Sequence, residues 1–326
     1  MMMFHRFKKV VLFFGLLVSC AAFSGTVALN MSGLEDLGAN ARYEGWLVVN
    51  GSPVSTGVFS VDSLGDLSQT VFNVSDSDAD DASVFILTIE PFPDLDPNPA
   101  DSHLLAGDVI GGLADVSVGH PAAIGDDFTA SSGGFALINP TGDKGSSFEN
   151  GIWFVVPVPP PETVGLNLPT LPAGWVYEGW VVDNSLDQPI STGTFSDENG
   201  PDSDGAGAAA GLGPALLFPG QDFINPARDL SENHTAVISI EPVPDNSPAP
   251  FTLKPLLVPI VDNFGSQAMN NNAVATNPFG QVSVNGSGPG PGSVQSVPTL
   301  GFWGMLLLCL LAMAIVHSKF NTTKID

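Results

Sequence analysis

Between Leu29 and Leu300 the chain has no cysteine and only four basic residues, Arg42, Lys144, Arg228 and Lys254. The missing cysteines exclude a disulfide framework and a thiolate metal site from that span. The two cysteines of the chain, Cys20 and Cys309, lie in apolar terminal segments. The scarcity of cations sets four positive charges against 33 acidic residues, a net charge of −29 over the span. Such a surface repels phosphate, which argues against any nucleic-acid partner. Helical periodicity of useful length is also missing. With 36 glycines and 28 prolines in 326 residues, apolar stretches are short and end in turns, the pattern of β-structure. At 44% hydrophobic and 13% charged residues, the chain has too much apolar content for a disordered acidic tail. Its length suits two domains or one large one.

The two ends read as addresses. Arg6, Lys8 and Lys9 precede an apolar run, Val10–Val18, and then small residues. That is the order of a secretory signal peptide, expected over residues 1–28 with cleavage after Ala22 or Ala28. Leu17-Val18-Ser19-Cys20 also fits a lipobox, with Cys20 as the lipidated residue. At the other end, Leu300–Val316 holds 17 residues without a charge, followed by His317, Lys319 and Lys324. This predicts a C-terminal transmembrane helix with its tail in the cytoplasm and the bulk of the chain outside. Residues 285–296, "NGSGPGPGSVQS", read as a flexible stalk. Val297-Pro298-Thr299-Leu300, then Trp303-Gly304 and the apolar run, resemble the bacterial IPTL-type C-terminal sorting signals. These are relatives of the PEP-type signals read by exosortase-like transpeptidases. The resemblance, over residues 297–326, implies a Gram-negative envelope protein held by its C-terminal helix and cut near this motif by a sorting enzyme.

The middle of the chain is written twice. "YEGWLVVNGSPVSTGVFS" (Tyr43–Ser60) returns as "YEGWVVDNSLDQPISTGTFS" (Tyr177–Ser196), and "ILTIEPFPDLDPNP" (Ile86–Pro99) as "VISIEPVPDNSPAP" (Val237–Pro250). "FALINP" (Phe135–Pro140) has a weaker echo in "AVATNP" (Ala273–Pro278). Matching segments in matching order predict two homologous modules, residues 34–156 and 168–284, joined by a stiff Pro-rich linker over 157–167. In "RYEGWLVVN", Tyr43, Gly45, Leu47 and Val49 share one face of a strand, and Glu44, Trp46 and Val48 the other. Both faces are mostly apolar, as in an interior strand. "GSPVSTG" is expected to turn the chain and "VFSV" to begin the return. "SVFILTIEP" is a further strand, stopped by Pro91. The fold expected is all-β: two tandem antiparallel β-sandwich domains.

Tyr43, Trp46, Pro53, Val54, Ser55, Gly57, Phe59 and the run Thr88–Pro91 resemble the extracytoplasmic C-terminal domain of anti-sigma-K factors. In the second copy the matching residues are Tyr177, Trp180, Pro189, Ile190, Ser191, Gly193, Phe195 and Ser239–Pro242. The resemblance implies a β-sandwich outside the cytoplasmic membrane. It does not carry over sigma-factor binding, which resides in a separate cytoplasmic domain of that family.

Each copy carries two glutamates, Glu44 with Glu90 and Glu178 with Glu241. They could serve as a carboxylate pair for glycoside chemistry, as calcium ligands, or as acceptors of backbone N–H bonds from a nearby turn such as "PVSTG". The last reading makes the signature Tyr43, Glu44, Trp46, Gly57 and Glu90, with Tyr177, Glu178, Trp180, Gly193 and Glu241, structural. "SDSDADD" (Ser75–Asp81) and "DENGPDSDG" (Asp197–Gly205) read as solvated acidic loops without EF-hand order, leaving weak calcium binding as the one cofactor expectation. His103, His120 and His234 lack zinc spacing, and no nucleophile elbow is present. These features predict a non-enzymatic, exported cell-surface protein engaging a surface or matrix partner. The alternatives are a sensory or regulatory ectodomain and, third, a carbohydrate-active enzyme.

Overall fold

The computed structural model describes residues 24–142, 150–157, 161–224, 228–245, 247–261 and 265–286. The signal segment before Ser24, Cys20, the stalk beyond Gly286, the motif Val297–Leu300 and the C-terminal apolar run lie outside the described residues. Among the described residues, no helix is long and apolar enough to cross a membrane.

The chain is predominantly antiparallel β-structure, as its turn-rich composition predicts. The first stretch gives β1 (Ser24–Ser32), β2 (Ala41–Val49), β3 (Ser52–Phe59), β4 (Val71–Ser75), the one-turn helix α1 (Asp76–Asp80), β5 (Ala82–Pro91), β6 (His103–Asp108) and β7 (Leu113–Ser117). Then come β8 (Ser132–Ala136), β9 (Ile152–Trp153), β10 (Val155–Val156), β11 (Thr163–Val164) and β12 (Leu166–Asn167). The second stretch gives β13 (Trp175–Asp183), β14 (Gln188–Phe195), β15 (Gly220–Gln221), β16 (His234–Pro242) and β17 (Leu256–Pro259). It ends with β18 (Ser266–Ala268), β19 (Asn270–Asn271), α2 (Ala273–Thr276) and β20 (Phe279–Asn285).

β2 and β13 share one burial pattern along their length, the physical counterpart of their near-identical sequences. Tyr43 and Leu47 face the large core, while Trp46 packs on the other side of the sheet with Ile86, Ala106 and Ala123. β2 therefore has both faces covered, and lies between β3 and β5. The hairpin after it differs from the sequence expectation. The chain reverses at Asn50-Gly51, with φ of 50° and 80°, and "SPVSTG" is already β3. A two-residue turn with both φ positive has the twist that antiparallel strands need, and Asn-Gly is the pair that tolerates it. Pro53 is accommodated because β3 ends its sheet and has a free side.

The sheets do not follow the order of the sequence. The first sheet runs β3-β2-β5-β6-β7-β20-β1-β4, so the last strand of the second copy lies between β7 of the first copy and β1, a strand that precedes the expected start of that copy at residue 34. In the second half, β14, β13, β16 and β17 stand as β3, β2, β5 and β6 do. There the strand with β18 on one side and β12 and β9 on the other is β8, drawn from the first copy. The two copies have thus traded one strand each. The weak echo of "FALINP" is not a structural one: Phe135-Ala136 end β8, whereas Ala273–Thr276 form α2. Part of the Pro-rich linker is a short ladder, Val155-Val156 on Thr163-Val164. All described residues belong to one compact unit, with Tyr43, Phe85, Phe135, Phe154, Tyr177, Phe251 and Val282 in one hydrophobic cluster. β1 begins at Ser24, so cleavage after Ala28 would cut that strand, and cleavage after Ala22 leaves it whole.

Candidate functional site

The repeated signature builds the same polar chain twice. The Trp46 indole N–H donates to Thr88 Oγ1 at 2.9 Å, and the Thr88 hydroxyl donates to Glu90 Oε1. Glu90 Oε1 also receives the N–H of Ala100, at 2.9 Å, from the far end of the Pro-rich loop. In the second copy Trp180 donates to Ser239 Oγ at 2.8 Å, Ser239 donates to Glu241 Oε1, and Phe251 N–H completes the chain at 2.9 Å. Register explains the convergence: Glu178 faces Ser239 across β13 and β16, and Glu241, two residues on, shares that face. Each carboxylate pins a loop of equal length to the sheet, and each loop has a cis proline at the same place, Phe92–Pro93 and Val243–Pro244.

The other signature residues are also bound into the fold. Glu44 and Glu178 accept the hydroxyls of Ser55 and Ser191. These come from the "PVSTG" segment, but as side chains on a strand and not as backbone N–H groups of a turn. The chain's two tyrosines occupy equivalent places. Tyr43 stacks on Phe59 and donates to the Glu35 carbonyl, and Tyr177 stacks on Phe195 and donates to the Pro169 carbonyl. Gly57 and Gly193 sit at φ of 129° and 105° beside a register shift in each hairpin. A Cβ on Gly57 would fall 2.8 Å from the Phe72 ring, and one on Gly193 2.6 Å from the Asp202 carboxyl carbon, so only glycine fits.

The electrostatics separate the copies. Burial raises the Glu44 and Glu178 carboxyls, partly offset by the serine hydroxyls; Glu90 and Asp94 add to the rise at Glu44, and Asp245 at Glu178. Glu241 is fully buried, and burial pushes its carboxyl up to about 8 against the pull of Ser239 and the Phe251 N–H. Opposite Glu90 stands Arg42, its guanidinium 4.4 Å from the centre of the Phe92 ring, whereas opposite Glu241 stands Val176. The second copy therefore holds a buried acid with no cation at the cross-strand position opposite it, and the cation that feels its charge is Lys254, from the loop before β17. Among the described residues, Oε2 of both Glu178 and Glu241 lacks a hydrogen-bond partner.

The acidic segments are more structured than solvated loops. Ser75 caps α1, its hydroxyl accepting Asp78 N–H at 3.1 Å, and Ala79 is buried. The spacing Ser-x-x-Asp carries that cap and could have been read from the sequence. Asp202 is 8% exposed, accepts Gly220 N–H at 2.8 Å, and burial raises its carboxyl to about 7, with Asp204 adding to the rise. Among the described residues, no three His, Cys, Asp or Glu side chains converge as a metal site would require. The sequence reading missed Asp222, which is fully buried and accepts from Thr141 N–H, the Thr141 hydroxyl and Trp153 Nε1. It has no twin in the first copy, so the repeat could not reveal it.

Comparison with protein-family models, curated proteins and solved structures finds no match to this chain.

Proposed function

We propose that this is an exported, non-enzymatic surface protein whose two homologous β-sandwich modules are displayed outside the membrane for adhesion, matrix or envelope interaction. The observation that carries this reading is the use made of the repeated signature. Its tryptophans, hydroxyls and carboxylates are joined to one another and to their loops, so the duplication multiplies a scaffold. What such a scaffold presents is its acidic surface and its two Pro-rich loops, where Leu95, Phe92 and Val243 are exposed. Two similar modules on one tether give weak contacts the benefit of high effective concentration. The resemblance to the anti-sigma-K ectodomain supports the modules' extracytoplasmic setting. The terminal segments supply export, a membrane anchor and a substrate motif for an exosortase-like enzyme.

Intact mass spectrometry of the mature protein from its native envelope tests the reading. A chain beginning near Phe23, cut near Val297–Leu300 and carrying new mass is the expected result. A chain retaining Leu300–Asp326 in the cytoplasmic membrane would favour a regulatory ectodomain, and one retaining its first residues in the cytoplasm would overturn export.

A further inference from the structure

On the side of the first sheet away from the large core, Trp46, Ile86, Ala106 and Ala123 cover β2, β5 and β6. Among the described residues that cover does not extend over β7, β20, β1 and β4. Alternation sorts the side chains of these four strands. Val27, Val116 and Val282 point into the core, and their neighbours along each strand point outward, exposed or half-buried.

Cross-strand register lays the outward residues in rows. Ser32, Phe279 and Ser117 form one row, and Asn30, Gln281 and Asp115 the next. Phe279 is 62% exposed, an aromatic ring standing on an open sheet face between two hydroxyls. The chain carries a net charge of −25, yet Asp115 is the one ionisable side chain among the outward residues of these strands. Its carboxylate accepts from the Gln281 amide at 2.8 Å. The face exists only because the strands are traded, since β20, which brings Phe279, comes from the second copy.

Charge and size decide what this face can take. A polyanion is repelled by the chain as a whole, and a cationic partner is drawn to the carboxylates elsewhere on it. Strand spacing and rise make the face about 20 Å by 15 Å, roughly 300 Å². Stable protein interfaces bury about 800 Å² per partner, which argues against a second copy of the chain or another folded protein. Amides and hydroxyls both donate and accept, as uncharged polyols require. An exposed ring adds a flat apolar surface for the C–H face of a sugar. We propose that the outward face of β7, β20 and β1 binds a neutral polysaccharide, with Phe279 stacked under a sugar ring and Asn30, Gln281, Ser32 and Ser117 hydrogen-bonding to its hydroxyls. This deepens the surface-protein reading by naming the class of matrix component, and it rests on that reading for where the two meet.

The test is affinity electrophoresis of the purified chain through native gels cast with hydroxyethyl cellulose, galactomannan or dextran, all uncharged, and with polygalacturonate as the anionic control. Retardation is expected in at least one neutral gel, equal at low and high salt, and none in polygalacturonate. Phe279→Ala, a change at an exposed side chain, is expected to weaken that binding about tenfold. Asn30→Ala is expected to weaken it about threefold. Leu186→Ala, in the exposed turn between β13 and β14, is expected to leave it unchanged. Free passage through all three neutral gels, retardation untouched by Phe279→Ala, or retardation in polygalacturonate that salt abolishes would overturn the proposal. So would a dimer in sedimentation that Phe279→Ala dissociates, which would give the face to a second copy. Free passage by a chain whose native form is still cut near Val297–Leu300 would remove the polysaccharide and leave the surface reading standing.

Discussion

Thr88 and Ser239 are the hinge points of the two polar chains, each hydroxyl accepting from an indole and donating to a glutamate. Thr88→Val keeps the shape and deletes the hydroxyl, leaving an indole N–H and a carboxylate oxygen with one partner fewer. Such losses cost about 1–3 kcal/mol for each buried group left unpaired. Urea unfolding is expected to show destabilisation in that range, and adding Trp46→Phe should cost less in the Thr88→Val background than in the parent, since both act on one chain. The raised carboxyls predict the pH profile. A carboxyl whose folded pKa is raised favours the folded state most below its unfolded pKa, and that advantage is lost as pH rises through the folded value. For Glu241 the window runs from the ordinary value of 4.5 to about 8, with Glu35 and Asp202 acting to about 7. Melting temperature is expected to fall between pH 5 and pH 8, and Glu241→Gln should flatten that fall, since a group of this kind contributes up to about 1.4 kcal/mol per pH unit. A Tm that rises over that interval would contradict the burial of these acids.

The hairpins show how far local sequence reaches. Tyr43, Trp46 and the glutamates were legible as a structural signature because a repeat exposes them, and strict alternation gives each side chain its face. The reversal was not placed correctly, because "GSPVSTG" has the composition of a turn while Asn50-Gly51 has the required dihedrals. Gly57 and Gly51 both have positive φ, but only Gly57 lies against another side chain, Phe72; nothing stands within 4 Å of a Cβ on Gly51. Gly57→Ala is therefore expected to cost about 2–4 kcal/mol, combining backbone strain and overpacking, and Gly51→Ala about 1 kcal/mol from strain alone. Thermal unfolding of the two variants side by side measures the difference. Equal costs would mean that Phe72 is not packed on the bulge.

At the scale of the molecule, homology within the chain both informs and conceals. Two like segments offer the same pairing chemistry, so β8 and β20 each have a compatible slot in either half, and nothing in the repeat says which slot each takes. The sequence therefore announces two copies and the antiparallel class, while the trade of strands and the common core come only from the three-dimensional arrangement. The trade also gives the doubled chain a physical consequence: neither half completes its sheet without the other, so the halves unfold together. The most direct measurement uses paired cysteines in residues 24–286, which contain none of their own. Asn30 on β1 and Gln281 on β20 are exposed cross-strand partners, within the reach of a disulfide across an antiparallel ladder. Asn30→Cys with Gln281→Cys is expected to form an intramolecular disulfide under mild oxidation, and Asn30→Cys with Ser132→Cys on β8 to form none. A link between residues 30 and 132, with none between 30 and 281, would show that each copy keeps its own strand.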